Sequence, residues 1–395
     1  MSQAILVLHA GSSSLKFALY RADDLAALCR GGIDGIGKIA KLKLSQAPAA
    51  VMAAVGEAPA GEGHDGIKAW LIARLEAAFP ALELAAAGHR VVHGGREFAE
   101  PAIVTPDILK RLERFIPLAP SHQPHNLASI RAVSARWPEL PQVACFDTEF
   151  HRTQPRVAQL FALPRPLTDE GVLRYGFHGL SYEYIASVLP GIAEAKAEGR
   201  VIVAHLGHGA SMCAMKGRKS IATTMGFTAT DGLPMGDRCG ALDPGVVLHL
   251  IEQKGMSPRE VGDLLNKRSG LLGVSGISDD VRELEASSRP EATEALELFA
   301  YRAARELGSL VAALGGLDVL VFTAGIGEHS ALLRRRICAL SAWVGIEIDP
   351  AANDRHATQI NSGRSAVGVC VIPTNEELVI ARATRRLVTL EGGIS

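Results

Sequence analysis

An apolar run, a turn of small residues and a second apolar run open this chain, and the same order returns from Arg200. In the first copy, Ile5 to Leu8 leads through Gly11-Ser12-Ser13-Ser14 into Leu15-Lys16-Phe17-Ala18-Leu19-Tyr20. In the second, Val201 to Leu206 leads through Gly207-His208-Gly209-Ala210-Ser211 into Met212 to Met215. Apolar runs on either side of a Gly/Ser cluster read as β-hairpins. Their recurrence hints at a duplicated α/β unit, and two such units facing each other bring both turns to one cleft. A third corner of small residues, Gly325-Ile326-Gly327-Glu328, follows the apolar strand Val319 to Phe322. At 395 residues the chain exceeds the size at which one core usually keeps growing, so two domains are expected.

Between these landmarks the pattern predicts a strand near Leu25 to Arg30 and another at Ala86 to Val92, ending at His93-Gly94-Gly95. Residues 46–63 turn to Ala, Gly and Pro without a clean period, which reads as a surface connection or a ragged helix. Asp65 precedes the stripe Ile67, Trp70, Leu71, Leu75 and Phe79 as a candidate helix N-cap. Helices are expected near 106–115 and 126–136, then a strand at Val143 to Phe146. After Pro373, Thr374 and Glu377 stand at capping-box spacing and open a last helix that packs back on the first unit.

A formal net charge of −1 gives no global basic field for nucleic acid or an anionic membrane surface. No apolar run approaches the roughly 20 residues of a membrane span. Six cysteines lie singly with no CxxC pair, as in reduced thiols, so a cytoplasmic location is expected.

Phosphate binding needs backbone N–H groups aimed at anionic oxygens, and small residues let the backbone come close. Gly11 to Ser14 with Lys16, Gly207 to Ser211 and Gly325 to Gly327 all have that composition, although each also reads as an ordinary structural turn. There is no GxxxxGK[ST] string, and Gly325-Ile326-Gly327 lacks the third glycine of a dinucleotide fingerprint. Arg90 beside His93-Gly94-Gly95, and Arg238 within the Gly/Pro-punctuated stretch from Gly226, suit bidentate contact with carboxylate or phosphoryl oxygens. The alternative for each is a loop arginine in an ion pair. Asp147 follows an apolar strand, where active-site residues gather in α/β sheets; helix or turn capping competes there, as it does for Glu376. His178, in Tyr175-Gly176-Phe177-His178-Gly179, reads as a donor to an anion or as a structural histidine. His122-Gln123-Pro124-His125 lacks HxxxH spacing and a thiolate partner, so no zinc site is read there.

Several longer strings stand in a fixed order: Ala10-Gly-Ser-Ser-Ser-Leu-Lys16, His89-Arg-Val-Val-His-Gly-Gly95, Phe146-Asp-Thr148 and Arg174-Tyr-Gly-Phe-His-Gly179. His205-Leu-Gly207, Met235-Gly236, Arg238, Gly270-Leu-Leu-Gly-Val-Ser-Gly276, Phe322-Thr-Ala-Gly-Ile-Gly-Glu328 and Pro373-Thr-Asn-Glu-Glu377 follow. Together they resemble the acetate kinase family, which also contains propionate and butyrate kinases. The resemblance implies an α/β protein of two duplicated ribonuclease H-like domains, in the acetate and sugar kinase/heat-shock protein 70/actin superfamily. It implies an N-terminal domain of residues 1–149 completed by 379–395, a nucleotide-binding domain of 150–378, and an active-site cleft between them. It also implies a homodimer, Mg²⁺ with Mn²⁺ as an alternative, and direct transfer of the ATP γ-phosphoryl group to a carboxylate, giving an acyl phosphate and ADP.

By the same resemblance, Arg90 and Arg238 bind the carboxylate and the equatorial phosphoryl oxygens, and His178 adds a donor. Asp147 and Glu376 organise the metal, Asp147 also aligns the reacting groups, and His9 stands at a metal-side position. Ser12, Ser14 and Lys16 face the phosphates. His205, Leu206, Gly207, His208 and Gly209 embrace the nucleotide with Gly325, Ile326, Gly327, Glu328 and His329, and Asp280, Val281 and Arg282 match the adenosine-contacting stretch. Val92, Ser121, Phe177 and Ala229 line the acyl pocket.

The departures from the family pattern are specific. His9, His208 and His329 stand where the family has asparagines, which predicts a sharper loss of activity below pH 7. Asp237 replaces a threonine, in a position to pair with Arg238, and Tyr182 replaces a histidine four residues after His178. Ser121 and Ala229 replace a leucine and a proline, so a roomier pocket is expected to favour propionate as well as acetate. A sugar kinase of the same fold would need a carboxylate base and a polar pocket. An actin- or chaperone-like nucleotide switch would show no carboxylate-dependent turnover.

Overall fold

The structure is a computed structural model that describes residues 2–11, 14–37, 39–48, 51–52 and 56–390. Its contacts divide the chain into two compact units, Met1–Glu149 with Asn375–Ser395, and Phe150–Thr374.

In the first unit the strands are β1 (Ser2–Ala10), β2 (Ser14–Arg21), β3 (Ala27–Asp34), β4 (Lys41–Gln46), β5 (Leu82–Val91), β6 (Ala102–Ile103) and β7 (Gln142–Phe146). They form one sheet in the order β4-β3-β2-β1-β5-β7-β6. β1 and β2 pair antiparallel through Ala10 and Leu15, as the two strands of a hairpin. β5 and β7 add on in parallel. In the second unit β8 (Arg200–Leu206), β9 (Ala210–Lys216), β10 (Lys219–Thr223), β11 (Val319–Thr323) and β12 (Gly368–Val371) follow the order β10-β9-β8-β11-β12. Here too an antiparallel hairpin is extended by parallel strands. The order β3-β2-β1-β5-β7 is thus repeated strand for strand, sense for sense, as the paired hairpins in the sequence imply. The parallel strands β7 and β11 are buried at every position, which explains why they read as unbroken apolar runs.

Several local expectations shift. β3 begins at Ala27 because Leu25 takes a left-handed turn conformation (φ 57°). The helix His64–Ala78 has Gly63 at its N-cap, and Asp65 falls in its first turn, where it accepts from the Lys68 ammonium at 3.2 Å. The third corner is a strand-to-helix junction rather than a hairpin turn: β11 runs straight into the helix Ala324–His329. The last helix, Glu376–Leu390, is capped by Asn375, whose Oδ1 accepts from the Leu378 N–H at 3.1 Å. Thr374 plays no part in that cap; its hydroxyl meets Ser181 Oγ at 2.9 Å.

The last helix lies on β1 and β5 so closely that a Cβ on Gly88 would stand 2.4 Å from Thr384 Oγ1 and 2.5 Å from Ile380 Cγ2. Glycine at this point is therefore a condition of the packing. Among the described residues no helix is long and apolar enough to cross a membrane.

Candidate active site

In the first unit the parallel register sets Arg90 opposite Cys145 and Val91 opposite Phe146, so Asp147 emerges just beyond the strand beside Arg90. The Asp147 N–H is held by the Val91 carbonyl at 3.1 Å. Arg90 Nε and Nη2 then donate to the two carboxylate oxygens of Asp147 at 3.0 and 2.5 Å. Both side chains are nearly buried, 11% and 2% exposed, which places a forked, charge-assisted pair at the sheet's carboxyl end. Burial works against the charged guanidinium, but Asp147 outweighs it and lifts Arg90 above its ordinary value.

On the neighbouring strand, His9 Nδ1 stands 3.4 Å from Glu376 and 3.7 Å from Glu377. Glu377 also accepts from Arg30 Nη2 at 3.2 Å. Burial tends to raise Glu377, but His9 and Lys16 outweigh it and hold the carboxyl well below the usual range. Burial first, and Arg90 next, push His9 below its ordinary value in spite of the two glutamates.

Lys16 faces outward on β2, cross-strand from His9, and the Ser14 carbonyl closes the hairpin turn by accepting from the Gly11 N–H at 2.8 Å. Ser12 lies outside the described residues. Among the described residues no group of three His, Cys, Asp or Glu side chains is placed to hold a metal ion, so His9, Asp147 and Glu376 do not form a ready-made cage. Of the residues that the resemblance assigns to the acyl pocket in this unit, Val92 is buried and Ser121 exposed.

Two residues that the sequence reading passed over hold this end of the sheet. Asn126 Oδ1 accepts from the Val92 N–H at 3.0 Å while its Nδ2 donates to the Ala10 carbonyl at 2.7 Å, tying the ends of β1 and β5 together. Gln123 accepts from the His93 N–H and donates to the His93 carbonyl, both at 3.1 Å. Their only signal in the sequence is two amides in the first turn of the helix Gln123–Arg136.

In the second unit His178 precedes the helix Gly179–Val188 in a left-handed conformation (φ 59°), and its ring stacks on His205 at 4.1 Å. A Cβ on Gly209 would stand 3.4 Å from His178 Nε2 and 3.7 Å from both terminal nitrogens of Arg238. The glycine turn, His178 and Arg238 therefore share one spot. Arg238 Nη1 donates to the Ala229 carbonyl at 2.9 Å. Asp237 reaches Arg238 only at 4.0 Å, too far for the direct hydrogen bond its position invites. Phe177 is buried, and its carbonyl meets His151 Nε2 at 2.9 Å.

Gly207 lies against Ala324, with a would-be Cβ 3.6 Å from that residue's Cβ, so the second and third corners adjoin. Leu206 is buried in β8. His208 is exposed and pairs with Asp279 at 3.1 Å. Asp280 caps the helix Val281–Ala286 and grips Arg282, while Val281 is buried. In the third corner Gly325 and His329 are exposed, Ile326 and Glu328 half-buried, and Gly327 buried. The Gly327 and Glu328 carbonyls both accept from the buried Arg334 at 2.9 Å, and Glu328 Oε1 accepts from the Thr374 N–H at 3.2 Å.

The model of the acetokinase family matches residues 4–382. The chain belongs to the acetokinase family. A relative named acetate kinase, from Rhodopseudomonas palustris (strain ATCC BAA-98 / CGA009), is 56% identical over 402 residues, covering 100% of both chains. Among solved structures, a propionate kinase from Francisella tularensis subsp. tularensis SCHU S4 is 38% identical with a TM-score of 0.87, covering 98% of this chain and 100% of that one. Porphyromonas gingivalis acetate kinase is 34% identical with a TM-score of 0.82, again covering 98% and 100%. The repeated sheets are accordingly the two ribonuclease H-like domains of the acetate and sugar kinase/heat-shock protein 70/actin superfamily. Family membership also makes the chain an ATP-dependent kinase whose substrates are an adenine nucleotide and a small carboxylate.

Proposed function

We propose that this acetokinase transfers the γ-phosphoryl group of ATP to acetate, reversibly and in line, giving acetyl phosphate and ADP. The observation that carries the reading is the full-length identity of 56% to a relative named acetate kinase. A carboxylate is already a nucleophile and needs no base, so the side chains have only to align it and neutralise charge on the moving phosphoryl group. Arg90, fixed by Asp147, and Arg238, fixed by the Ala229 carbonyl, are the guanidinium groups for that task. His178 adds a hydrogen-bond donor at the spot it shares with Arg238. The reading takes Ser12, Ser14, Lys16 and the Gly207 to Gly209 and Gly325 to Gly327 corners as the phosphate side, and Asp280 to Arg282 as the adenosine side.

For the metal we propose Mg²⁺, with Mn²⁺ as a substitute. Mg²⁺ takes oxygen ligands, usually one or two carboxylates with waters and substrate phosphates. Asp147 and Glu376 suit that donor set. His9, a nitrogen donor 3.4 Å from Glu376, suits orienting that carboxylate better than ligating a hard cation. When bound, the ion supplies positive charge to the phosphate oxygens.

A second reading, propionate as the preferred acceptor, is favoured by the small Ser121 and Ala229 side chains at the pocket positions. Turnover with acetate, propionate and butyrate, followed as acyl hydroxamate, tests both readings. Acetate with the highest kcat/KM supports the first, propionate above acetate supports the second, and no carboxylate-dependent turnover sinks both. We further propose a cytoplasmic homodimer. The free cysteines fit a reducing compartment. The helix Pro244–Glu252 buries no side chain and, with the preceding Leu242, leaves Leu242, Val246 and Leu248 40%, 40% and 54% exposed, as a partner-covered face would. Light scattering checks the dimer.

A further inference from the structure

The ring of His178 has two edges with different surroundings. Its Nε2 edge faces Gly209 and the Arg238 guanidinium. Its Nδ1 edge meets Ser211 Oγ at 2.8 Å, and Ser211 Oγ in turn meets the Tyr182 hydroxyl at 2.5 Å. Ser211 and Tyr182 are completely buried. The arrangement follows from two elementary registers. Tyr182 lies one helical turn after His178, with its N–H on the His178 carbonyl at 3.1 Å, so the two side chains share a face. Ser211 on β9 is the cross-strand partner of His205 on β8, so it arrives beside the ring that stacks on His178.

We propose that Tyr182 and Ser211 are positioning residues for phosphoryl transfer, holding His178 as the neutral Nε2–H tautomer. The tyrosine hydroxyl donates to Ser211 Oγ, the serine hydroxyl donates to Nδ1, and the remaining ring proton sits on Nε2. That N–H is then presented beside Arg238, where a phosphoryl oxygen gains from a fixed donor. The other tautomer would turn a lone pair toward the anion. His205 is held alike, with Nδ1 against Ser181 Oγ at 2.8 Å, so each of the two stacked rings has a serine on its Nδ1 edge. This also gives a role to the tyrosine that stands where the family has histidine. The inference rests on the assignment of His178 to the reaction.

Three variants and one spectrum test it. Tyr182→Phe keeps the ring and removes the hydroxyl; kcat should fall about tenfold, the worth of one hydrogen bond, with KM for ATP unchanged. Ser211→Ala should fall further. Adding Tyr182→Phe to His178→Gln should cost nothing beyond His178→Gln alone, because the tyrosine acts only through the histidine. ¹⁵N spectra of the wild type, with His178 assigned by loss of its signals in His178→Gln, should show the proton on Nε2, and Tyr182→Phe should show mixed tautomers. Full kcat in Tyr182→Phe, additivity on His178→Gln, or a wild-type Nδ1–H tautomer would each overturn the proposal. Wild-type turnover in His178→Gln would instead remove the assignment of His178 on which it stands, and the spectrum would still report the tautomer.

Discussion

Substituting Gly88 by alanine tests how the last helix is seated. The added Cβ would stand 2.4 Å from Thr384 Oγ1 and 2.5 Å from Ile380 Cγ2. Unstrained carbon contacts lie at about 3.5–4.0 Å, so both distances are short by roughly 1 Å or more. The helix has to retreat from β5, because Thr384 Oγ1 is itself tied to the Ile380 carbonyl at 2.8 Å and cannot swing aside freely. Overpacking of this kind costs about 1–3 kcal/mol, offset by about 0.4–1 kcal/mol from the lower entropy of the unfolded alanine chain. A net loss of about 1–2 kcal/mol is expected. Urea unfolding followed by tryptophan fluorescence reads it, in a Trp343→Phe background that leaves only Trp70 and Trp137, both in the first unit. Thr384→Ala removes one of the two clashes and should recover about 1 kcal/mol of the loss in the double variant. Turnover should fall and recover in parallel, since Glu376 sits in the first turn of the displaced helix. Stability of Gly88→Ala within about 0.5 kcal/mol of wild type, the range of an indifferent surface change, would refute this seating.

Arg238→Ala should lose at least about 100-fold in kcat while keeping nucleotide affinity, since it removes a preorganised charge aimed at the transferring group; near-normal turnover sinks that role. Acid stability should depend on His89, His93 and His151, which burial pushes from 6.5 down to about 4. Their folded forms are neutral, so their full contribution holds above pH 6.5 and drains away toward pH 4. Each can forfeit about 3 kcal/mol across that window, and His151→Gln should flatten the slope of stability against pH measured by urea titration. Val92→Ala should shift kcat/KM from acetate toward propionate by no more than about 10- to 200-fold, the range for a methylene-sized change in an apolar pocket; an unchanged ratio argues against Val92 as a pocket wall.

What the sequence makes legible is whatever rests on local pattern. The two hairpins announce themselves because an apolar run on each side of a small-residue turn has few other folded outcomes, and β7 and β11 because strands buried on both faces admit almost no polar residue. Caps were less legible. Thr374 and Asn375 are both capping residue types, and one residue of helix phase decides between them; Asp65 is another, yet the cap of its helix falls two residues earlier, at Gly63. The third corner misled because Gly-Ile-Gly is compatible with a turn or a helix start, and β11 delivers the chain into a helix. The ionic cluster of His9, Arg90, Asp147, Glu376 and Glu377 draws on residues hundreds of positions apart, so only the fold or a family pattern assembles it. Asn126 and Ser211 had no such pattern, since one buried amide or hydroxyl among many reveals its partners only once strands are in register.

The duplication also allows a comparison between the copies. His9 precedes Ala10 and Gly11 at the end of β1, and His205 precedes Leu206 and Gly207 at the end of β8. The cross-strand partner is Lys16 in one copy and Ser211 in the other. One backbone position therefore carries the same residue type in two kinds of environment. In the first copy the imidazole meets Glu376, Glu377, Arg90 and Lys16, and ionic groups surround it. In the second it meets the Ser181 hydroxyl and the face of His178, with Thr374 completing a chain of neutral hydrogen bonds. Ionic surroundings suit a site that must accommodate a change of charge. Neutral hydroxyl chains fix ring orientation without adding field. The two halves of the proposed chemistry divide in the same way: the first unit supplies the carboxylates and the charge that balances them, and the second supplies oriented donors beside a glycine turn. A fold duplicated in backbone has thus been specialised by side chain, and the divergence at these two histidines is where that specialisation can be read most directly.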